Sequence, residues 1–336
     1  MNKNILVTGS AGFIGMHLVI ELANIGYNVF GIDNINDYYD LNLKYARLAN
    51  CGIEKNNIKN NELIQSSKIK NYFFSKIDLS NTQAIETILK DKKIDIIIHL
   101  AAQAGVRYSI ECPETYIQNN LNCFFNIINA AQKNRISKFI YASSSSVYGN
   151  LKSTPFDEKM NADMPVSLYA ATKKCNELIA HSYSEIYNLQ TVGLRFFTVY
   201  GPWGRPDMAY FSFTKAMFAG DEIKIYNKGE LSRDFTYIDD IIEGICSLIK
   251  TDLVNKYSVF NIGNDKPEKL MNFVKMIEKE VGKSANLKMM EMQKGDVEKT
   301  WANIEYLKNV TGYKPKTNLE IGLHKFVRWY KEFYNK

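Results

Sequence analysis

The segment that most constrains the fold is the first stretch of the chain, up to Asp33. Residues 4–7 are an apolar, β-branched run that reads as a strand, and it leads straight into Thr8-Gly9-Ser10-Ala11-Gly12-Phe13-Ile14-Gly15. Apolar residues then recur at helical spacing to about residue 25, with Phe13, Ile14, Leu18 and Leu22 on one face, and Gly26 falls where a helix C-cap belongs. A second strand, 28–32, ends in Asp33. Strand, glycine loop, helix, strand and acid in this order leave few folds open.

Each glycine has a physical reason. Gly9 permits a tight turn, Gly12 lets the backbone approach a pyrophosphate seated on the helix N-terminus, and Gly15 allows close packing of helix on sheet. The glycine triplet alone is weak; an acid eighteen residues past the last glycine, in strand context, makes it specific. Asp33 is expected to hydrogen-bond an adenosine ribose and to repel a 2′-phosphate. With Asn34 next rather than arginine, NAD is favoured over NADP.

The alternation continues. Residues 41–50 read as a helix, and the Asn- and Lys-rich stretch 51–71 as an exposed insertion, loop or partly helical. A strand at 72–77 ends at Asp78 and Leu79, where an adenine amino group would be met. A helix at 81–91 leads to a strand at 94–99, which opens into Leu100, Ala101, Ala102 and Gln103, small residues suited to backbone contact with a flat ligand. A long helix at 114–133 and a strand at 138–142 run into four serines, Ser143 to Ser146. These repeats predict an α/β fold, a Rossmann-like doubly wound parallel sheet with ligands at the strand C-termini. Residues 1–175 form the NAD-binding domain, which also takes in parts of 176–260. Residues 176–336 are mainly a smaller α/β substrate lobe, with the chain crossing between the two. In that lobe the rhythm loosens: helices at 209–219, 238–250 and 269–281, strands at 223–226 and 257–261, a corner at 233–235 and two C-terminal helices.

Composition narrows the function. A chain of 336 residues, 46% hydrophobic, can bury a large core. No apolar run approaches the ~20 residues of a membrane span, and there is no signal-like N-terminus, so a cytoplasmic protein without a membrane partner is expected. Five scattered cysteines without a CxxC, and four dispersed histidines, argue against disulfides or a metal site. His99, closing an apolar run, reads as a core histidine. The net charge of +6 is spread among acids and shows no basic stripe with interleaved aromatics, so no nucleic acid is expected.

The chemistry centres on Tyr169 and Lys173. Four residues apart on a helix predicted over 167–187, they share one face. There the ammonium stabilises a phenolate, drawing the tyrosine below its ordinary pKa of about 10 and making a general base for an alcohol. By spacing alone such a pair is common; its position after a dinucleotide fingerprint gives it weight.

With these residues assembled, the chain resembles the extended short-chain dehydrogenase/reductases and, among them, the nucleotide-sugar 4-epimerases. It is most similar to the UDP-glucuronate 4-epimerases of bacterial capsule and O-antigen pathways. The family-level markers are INDYYD at 35–40, AAQAGVRYS at 101–109, YASSSSVYG at 141–149, LYAATKK at 168–174 and LRFFTVYGPWGRPDMA at 194–209.

The resemblance implies that Gly9, Gly12, Phe13, Ile14, Gly15, Asp33, Asn34, Asp78, Leu79, Leu100, Ala101, Ala102, Gln103, Asn119, Tyr169, Lys173 and Phe197 hold NAD. Ser144 would hydrogen-bond the reacting sugar hydroxyl, with Ser145 and Ser146 beside it. Arg233 and Asp296 match motifs that hold UDP. Gln293 stands where many relatives have arginine, as in the glucuronate branch. Tyr169 would take the C4 hydroxyl proton of a UDP-sugar as C4 is transiently oxidised to a ketone, with no net redox change. Arg205, in its proline-flanked loop, is the candidate partner for a C6 carboxylate, with Thr198 assisting; the competing reading pairs Arg205 with Asp207. Arg107 is a second candidate that reads first as structural.

The alternatives are 4-epimerisation of another UDP-hexose (UDP-glucose/galactose or N-acetylated), and decarboxylation of UDP-glucuronate. Decarboxylases and 4,6-dehydratases place an acid just after the catalytic Ser/Thr, where this chain has Ser145 and Ser146. A catalytically dead redox sensor or scaffold would be expected to lose Tyr169 or Lys173. The resemblance also implies a homodimer packed through the helices near 114–133 and 167–187, where Phe124, Phe125, Ile127 and Ile128 extend beyond one apolar face.

Overall fold

The inner strands of the large sheet, such as 4–8, 96–99 and 138–144, are short runs buried along almost their whole length, which is why their sequences are largely apolar rather than alternating. The computed structural model describes residues 3–292 and 297–336. In chain order, Asn4–Thr8 is β1, Phe13–Asn24 α1, Asn28–Asp33 β2 and Leu41–Asn50 α2. Leu63–Gln65 (β3), Tyr72–Lys76 (β4), Thr82–Asp91 (α3) and Ile96–His99 (β5) follow. Two short helices, Tyr108–Glu111 (α4) and Pro113–Tyr116 (α5), pass through a π-helical turn, Ile117–Asn122, into Cys123–Lys133 (α6). Next come Lys138–Ser144 (β6), Leu168–Tyr187 (α7), Gln190–Phe196 (β7), Thr198–Tyr200 (β8), Ala209–Ala219 (α8) and Glu222–Ile225 (β9). Ser232–Tyr237 (β10), Ile238–Lys250 (α9), Tyr257–Ile262 (β11), Pro267–Lys269 (β12) and Leu270–Val281 (α10) lead to Asn286–Met289 (β13), Glu305–Thr311 (α11) and Leu319–Tyr334 (α12).

The chain divides into two units. The first comprises residues up to 147, 167–195 and 252–260; the second comprises 148–166, 196–251 and those from 261 on. The first is built on an eight-stranded sheet of order β11-β7-β6-β5-β1-β2-β4-β3. β1 pairs in parallel with both β2 and β5, β2 with β4, and β5 with β6. The strand order reverses at β1 and β5, and ligands of such sheets bind outside the carboxyl ends at that point. Leu6, Ile97, Phe124, Ile127, Ile128 and Phe139 are all fully buried in the core there.

Helix α7 is the longest. Its N-cap is Ser167, whose hydroxyl accepts from the Ala170 amide at 3.2 Å, and it ends at Asn188 in the left-handed conformation, a usual C-terminal stop. The second unit has a three-stranded sheet of order β12-β10-β8 and a parallel pair, β9 with β13. Asp234 of β10 braces it: its buried carboxylate accepts from the amides of Asn264 (2.8 Å), Asp265 (3.1 Å) and Ala302 (3.0 Å). Burial pushes that carboxyl up to about 6 against the pull of those three amides.

Three local expectations change. Stretch 51–71 is not simply an exposed insertion: Cys51 and Ile53 are buried, and β3 adds an antiparallel edge to β4. The Ser66 hydroxyl holds it in, donating to the Cys51 carbonyl at 2.7 Å and accepting from two amides. The corner at 233–235 lies inside β10, where pairing passes from β12 (through Asp234) to β8 (from Phe235). Phe124, Ile127 and Ile128 cover the sheet, so of the four apolar residues named on that helix only Phe125 is exposed. Among the described residues no helix is long and apolar enough to cross a membrane.

Candidate functional site

The β1–α1 loop is shaped by backbone crowding. Gly9 has φ +73°, and a Cβ there would stand 2.8 Å from the Ala101 nitrogen at the end of β5. A Cβ on Gly15 would overlap the Gly9 carbonyl. Helix α1 starts at Phe13 with Gly12 as its N-cap; no side chain caps it and no acid sits in its first turn. The amides of that turn therefore present an anion site unblocked by the chain's own carboxylates, which fits a pyrophosphate.

Asp33 braces this loop from the end of β2. Its Oδ2 accepts from the Ala11 amide (3.1 Å) and its Oδ1 from the Ile35 amide (2.8 Å). Asn34 Nδ2 donates to Asp78 Oδ2 at 2.8 Å, linking the ends of two adjacent strands. Partial burial would raise the Asp78 carboxyl, but hydrogen bonds from Ser80 and Asn34 outweigh it and hold the group below its ordinary range. Leu79 is buried, and its carbonyl accepts from Asn126 at 2.9 Å.

Two cations here escape sequence reading. Arg47 on α2 is fully buried and donates Nη1 to the Ala11 carbonyl at 3.2 Å and to the Tyr39 hydroxyl. Lys44 donates Nζ to the carbonyl and the side-chain oxygen of Asn36, both at 2.6 Å. Burial lowers its pKa, partly countered by Asp33. Their only signal was a pair of cations three apart on the amphipathic helix that follows the INDYYD stretch.

The loop after β5 is pinned by Asn120. The Gln103 amide donates to Asn120 Oδ1 at 2.8 Å, while Asn120 Nδ2 donates to the Gln103 carbonyl (2.9 Å) and to Thr172 Oγ1 (3.1 Å). The Thr172 hydroxyl in turn donates to the Tyr169 carbonyl at 2.8 Å. Asn119 is half-buried and Asn120 buried, so the bonds linking cofactor loop to α7 fall to the second asparagine. The π-helical turn carries both, and periodicity cannot register such a turn.

On α7, Tyr169 is half-buried, its ring edge-on to Tyr116 with centroids 6.1 Å apart. Lys173 is buried, donates Nζ to the Ala142 carbonyl at 2.9 Å, and is pushed down to about 8 by burial. Ser144 ends β6; its Oγ accepts from the Ser146 amide (3.2 Å) and donates to Ser146 Oγ (3.1 Å). His99 is a core residue: Nδ1 meets Thr8 Oγ1 at 2.8 Å, and burial, then the charge of Lys173, drive its pKa down to about 3. The first unit thus carries a dinucleotide-shaped loop, a tyrosine and a lysine one turn apart, and a serine at an adjoining strand end. That set of groups suits proton removal from an alcohol.

The other candidates lie in the second unit. Phe197 is buried, its amide bonded to the Ile262 carbonyl at 3.2 Å, and half-buried Thr198 opens β8. Arg205 donates Nε to Asp207 Oδ1 at 3.1 Å and Nη2 to Oδ2, so the intraloop pair is formed. Its amide donates to the Tyr210 hydroxyl at 3.2 Å. Arg233 donates Nη1 to the carbonyls of Ser232 (2.9 Å) and Glu298 (3.1 Å). Asp296 and Gln293 lie outside the described residues. Arg107, in the first unit, is exposed at the start of α4.

Comparisons with known proteins identify the family. The model of the NAD dependent epimerase/dehydratase family matches residues 5–263. Protein CapI of Staphylococcus aureus is 48% identical, over 99% of this chain and 99% of its own. UDP-glucuronate 4-epimerase 4 of Arabidopsis thaliana is 43% identical, over 98% of this chain and 76% of its own. The crystal structure of UDP-glucuronic acid 4-epimerase from Bacillus cereus with UDP-glucuronic acid and NAD has a TM-score of 0.87 and 34% identity, covering 98% of this chain and 100% of that one. With the family model matching most of the chain and a relative 48% identical along nearly its whole length, the chain belongs to the NAD dependent epimerase/dehydratase family.

Proposed function

We propose that this protein is a UDP-glucuronate 4-epimerase, interconverting UDP-glucuronate and UDP-galacturonate with NAD retained throughout. The observation that carries it is the Tyr169–Lys173 pair on α7, tied by Lys173 to the end of β6, where Ser144 is followed by serines and not by an acid. Likeness along nearly the whole chain to enzymes named for this reaction supports the substrate.

NAD, when bound, supplies the acceptor and then the donor for the two-electron change at C4. The amides of Phe13 and Ile14 in the first turn of α1 would hold its pyrophosphate, with Gly12 leaving room for its approach, and Asp33 would hold a ribose. Asn34, Asp78, Leu79, Leu100, Ala101, Ala102, Gln103, Asn119 and Phe197 would line the rest. Tyr169 takes the proton of the C4 hydroxyl and returns it once the 4-keto sugar has presented its other face. The Lys173 ammonium stabilises the phenolate, and Ser144 hydrogen-bonds the same hydroxyl. Arg233 and Asp296 would hold UDP.

Arg205, with Thr198, is assigned to the C6 carboxylate, since a planar guanidinium grips a carboxylate with two parallel bonds. That carboxylate would share the guanidinium with Asp207 or displace it. The Arg205–Asp207 pair is also the observation favouring a second reading, 4-epimerisation of a neutral UDP-hexose. Relative activity on UDP-glucuronate and UDP-glucose decides between the two.

A homodimer through α6 and α7 completes the proposal. Beyond Phe125, it rests on exposed Ile117, Leu178 and Ile186, of which Ile186 is 70% exposed. The same reading assigns the protein to the cytoplasm and to polysaccharide assembly, as its resemblance to capsule and O-antigen epimerases implies.

A further inference from the structure

The row that contains Tyr169 and Lys173 has a third member. Glu177 lies one further turn along α7, so the three side chains share a face. Lys173 bonds the Ala142 carbonyl, and at the next residue of β6 the Ser143 hydroxyl donates to Glu177 Oε1 at 2.6 Å. From β7, Arg195 grips the same carboxylate with two bonds, Nε to Oε1 and Nη2 to Oε2, each 2.8 Å. Lys174 adds a cation 3.7 Å from Oε2. Ser143, Glu177 and Arg195 are 2%, 1% and 4% exposed.

We propose that Glu177, locked by Arg195, is a positioning residue that fixes the end of β6, and with it Ser144, against the Tyr169–Lys173 face of α7. The proposal rests on the epimerase reading above for what Ser144 does. Successive strand residues face opposite ways, so anchoring the Ser143 hydroxyl sets the rotation of the strand end and the direction in which Ser144 points. Stability alone is a poor reason for the arrangement, because apolar residues of equal volume usually serve a buried ion pair's place as well or better. An apolar pair would fill the space but leave Ser143 unheld. A reacting group misplaced by about 1 Å can lose on the order of a hundredfold in rate, so rigidity at this strand end bears directly on turnover.

Deleting Glu177 would leave Arg195 buried without its counter-charge and endanger the fold, so the cut belongs at Ser143. Ser143→Ala removes one hydroxyl and keeps the ion pair. Its kcat on UDP-glucuronate is expected to fall about tenfold or more, with KM within about twofold. Bound NAD and Tm should match the parent, and Ser143→Thr, which keeps the hydroxyl, should recover most of the loss. Crystal structures of parent and Ser143→Ala should show the Ser144 hydroxyl displaced. An unmoved Ser144 with unchanged kcat overturns the proposal, as does a kcat loss matched by equal losses of bound NAD and Tm. If the parent leaves UDP-glucuronate unchanged, the epimerase reading fails, and the position of Ser144 in the two structures still decides this one.

Discussion

Lys173 donates its Nζ to the carbonyl of Ala142 at 2.9 Å, so the helix bearing the proposed general base is fastened to the strand that ends at Ser144. The same ammonium is buried and its pKa drawn down to about 8, which makes its charge sensitive to mildly alkaline pH. The expected behaviour of the protein follows from this placement.

Tyr169→Phe removes the proton acceptor and nothing else in the helix. Turnover should fall by roughly a hundred- to ten-thousandfold, the usual worth of a general base. Bound NAD, measured after denaturing the protein, should remain at the parent level. Near-normal turnover would remove Tyr169 from its role.

Lys173 predicts an alkaline limit. As pH rises through about 8 the ammonium that stabilises the phenolate is lost, so kcat should decline there. Stability runs the other way. The folded pKa lies below the unfolded value of 10.5, so burying the charge costs stability at pH below about 8, and the cost is relieved between about 8 and 10.5. The full cost is on the order of 3 kcal/mol. Denaturant unfolding across that window should show the parent gaining stability relative to Lys173→Met; parallel curves would contradict the account.

Arg205→Ala tests the acid group of the substrate. Loss of a charged hydrogen-bonding partner is worth about 1.5–3 kcal/mol, so KM for UDP-glucuronate should rise about tenfold or more while KM for UDP-glucose changes little. Equal effects on both sugars would assign the arginine to its pair with Asp207.

Asp33→Asn tests cofactor choice. The amide oxygen can still accept one of the two bonds that brace the loop, while the negative charge that repels a 2′-phosphate is gone. The ratio of NADP to NAD affinity, read by fluorescence titration of NAD-stripped protein, should rise. An unchanged ratio would detach discrimination from Asp33.

Much of this was legible because it is written locally. The glycine loop, Asp33, the run of strands and the Tyr169–Lys173 spacing each depend on residues close in sequence, and the structure places each where local physics predicts. What escaped reading depends on distant partners. Arg47 looks like a surface cation on a helix until its bond to Ala11 is seen, 36 residues away. Asn120 and Glu177 do not stand out among the polar residues beside them in sequence, and their significance lies in Gln103 and Arg195. The anchoring of 51–71 was hidden by its Asn-rich composition, since buried Cys51, Ile53 and Ser66 are few among many exposed polar neighbours. At Arg205 both readings were legible in the sequence, and the structure shows the pair with Asp207 formed.

Incubating purified protein with UDP-glucuronate and following the products by NMR tests 4-epimerisation most directly. UDP-galacturonate is expected, formed to equilibrium without added NAD and without release of CO₂. Formation of UDP-xylose, or an unchanged spectrum, would contradict it.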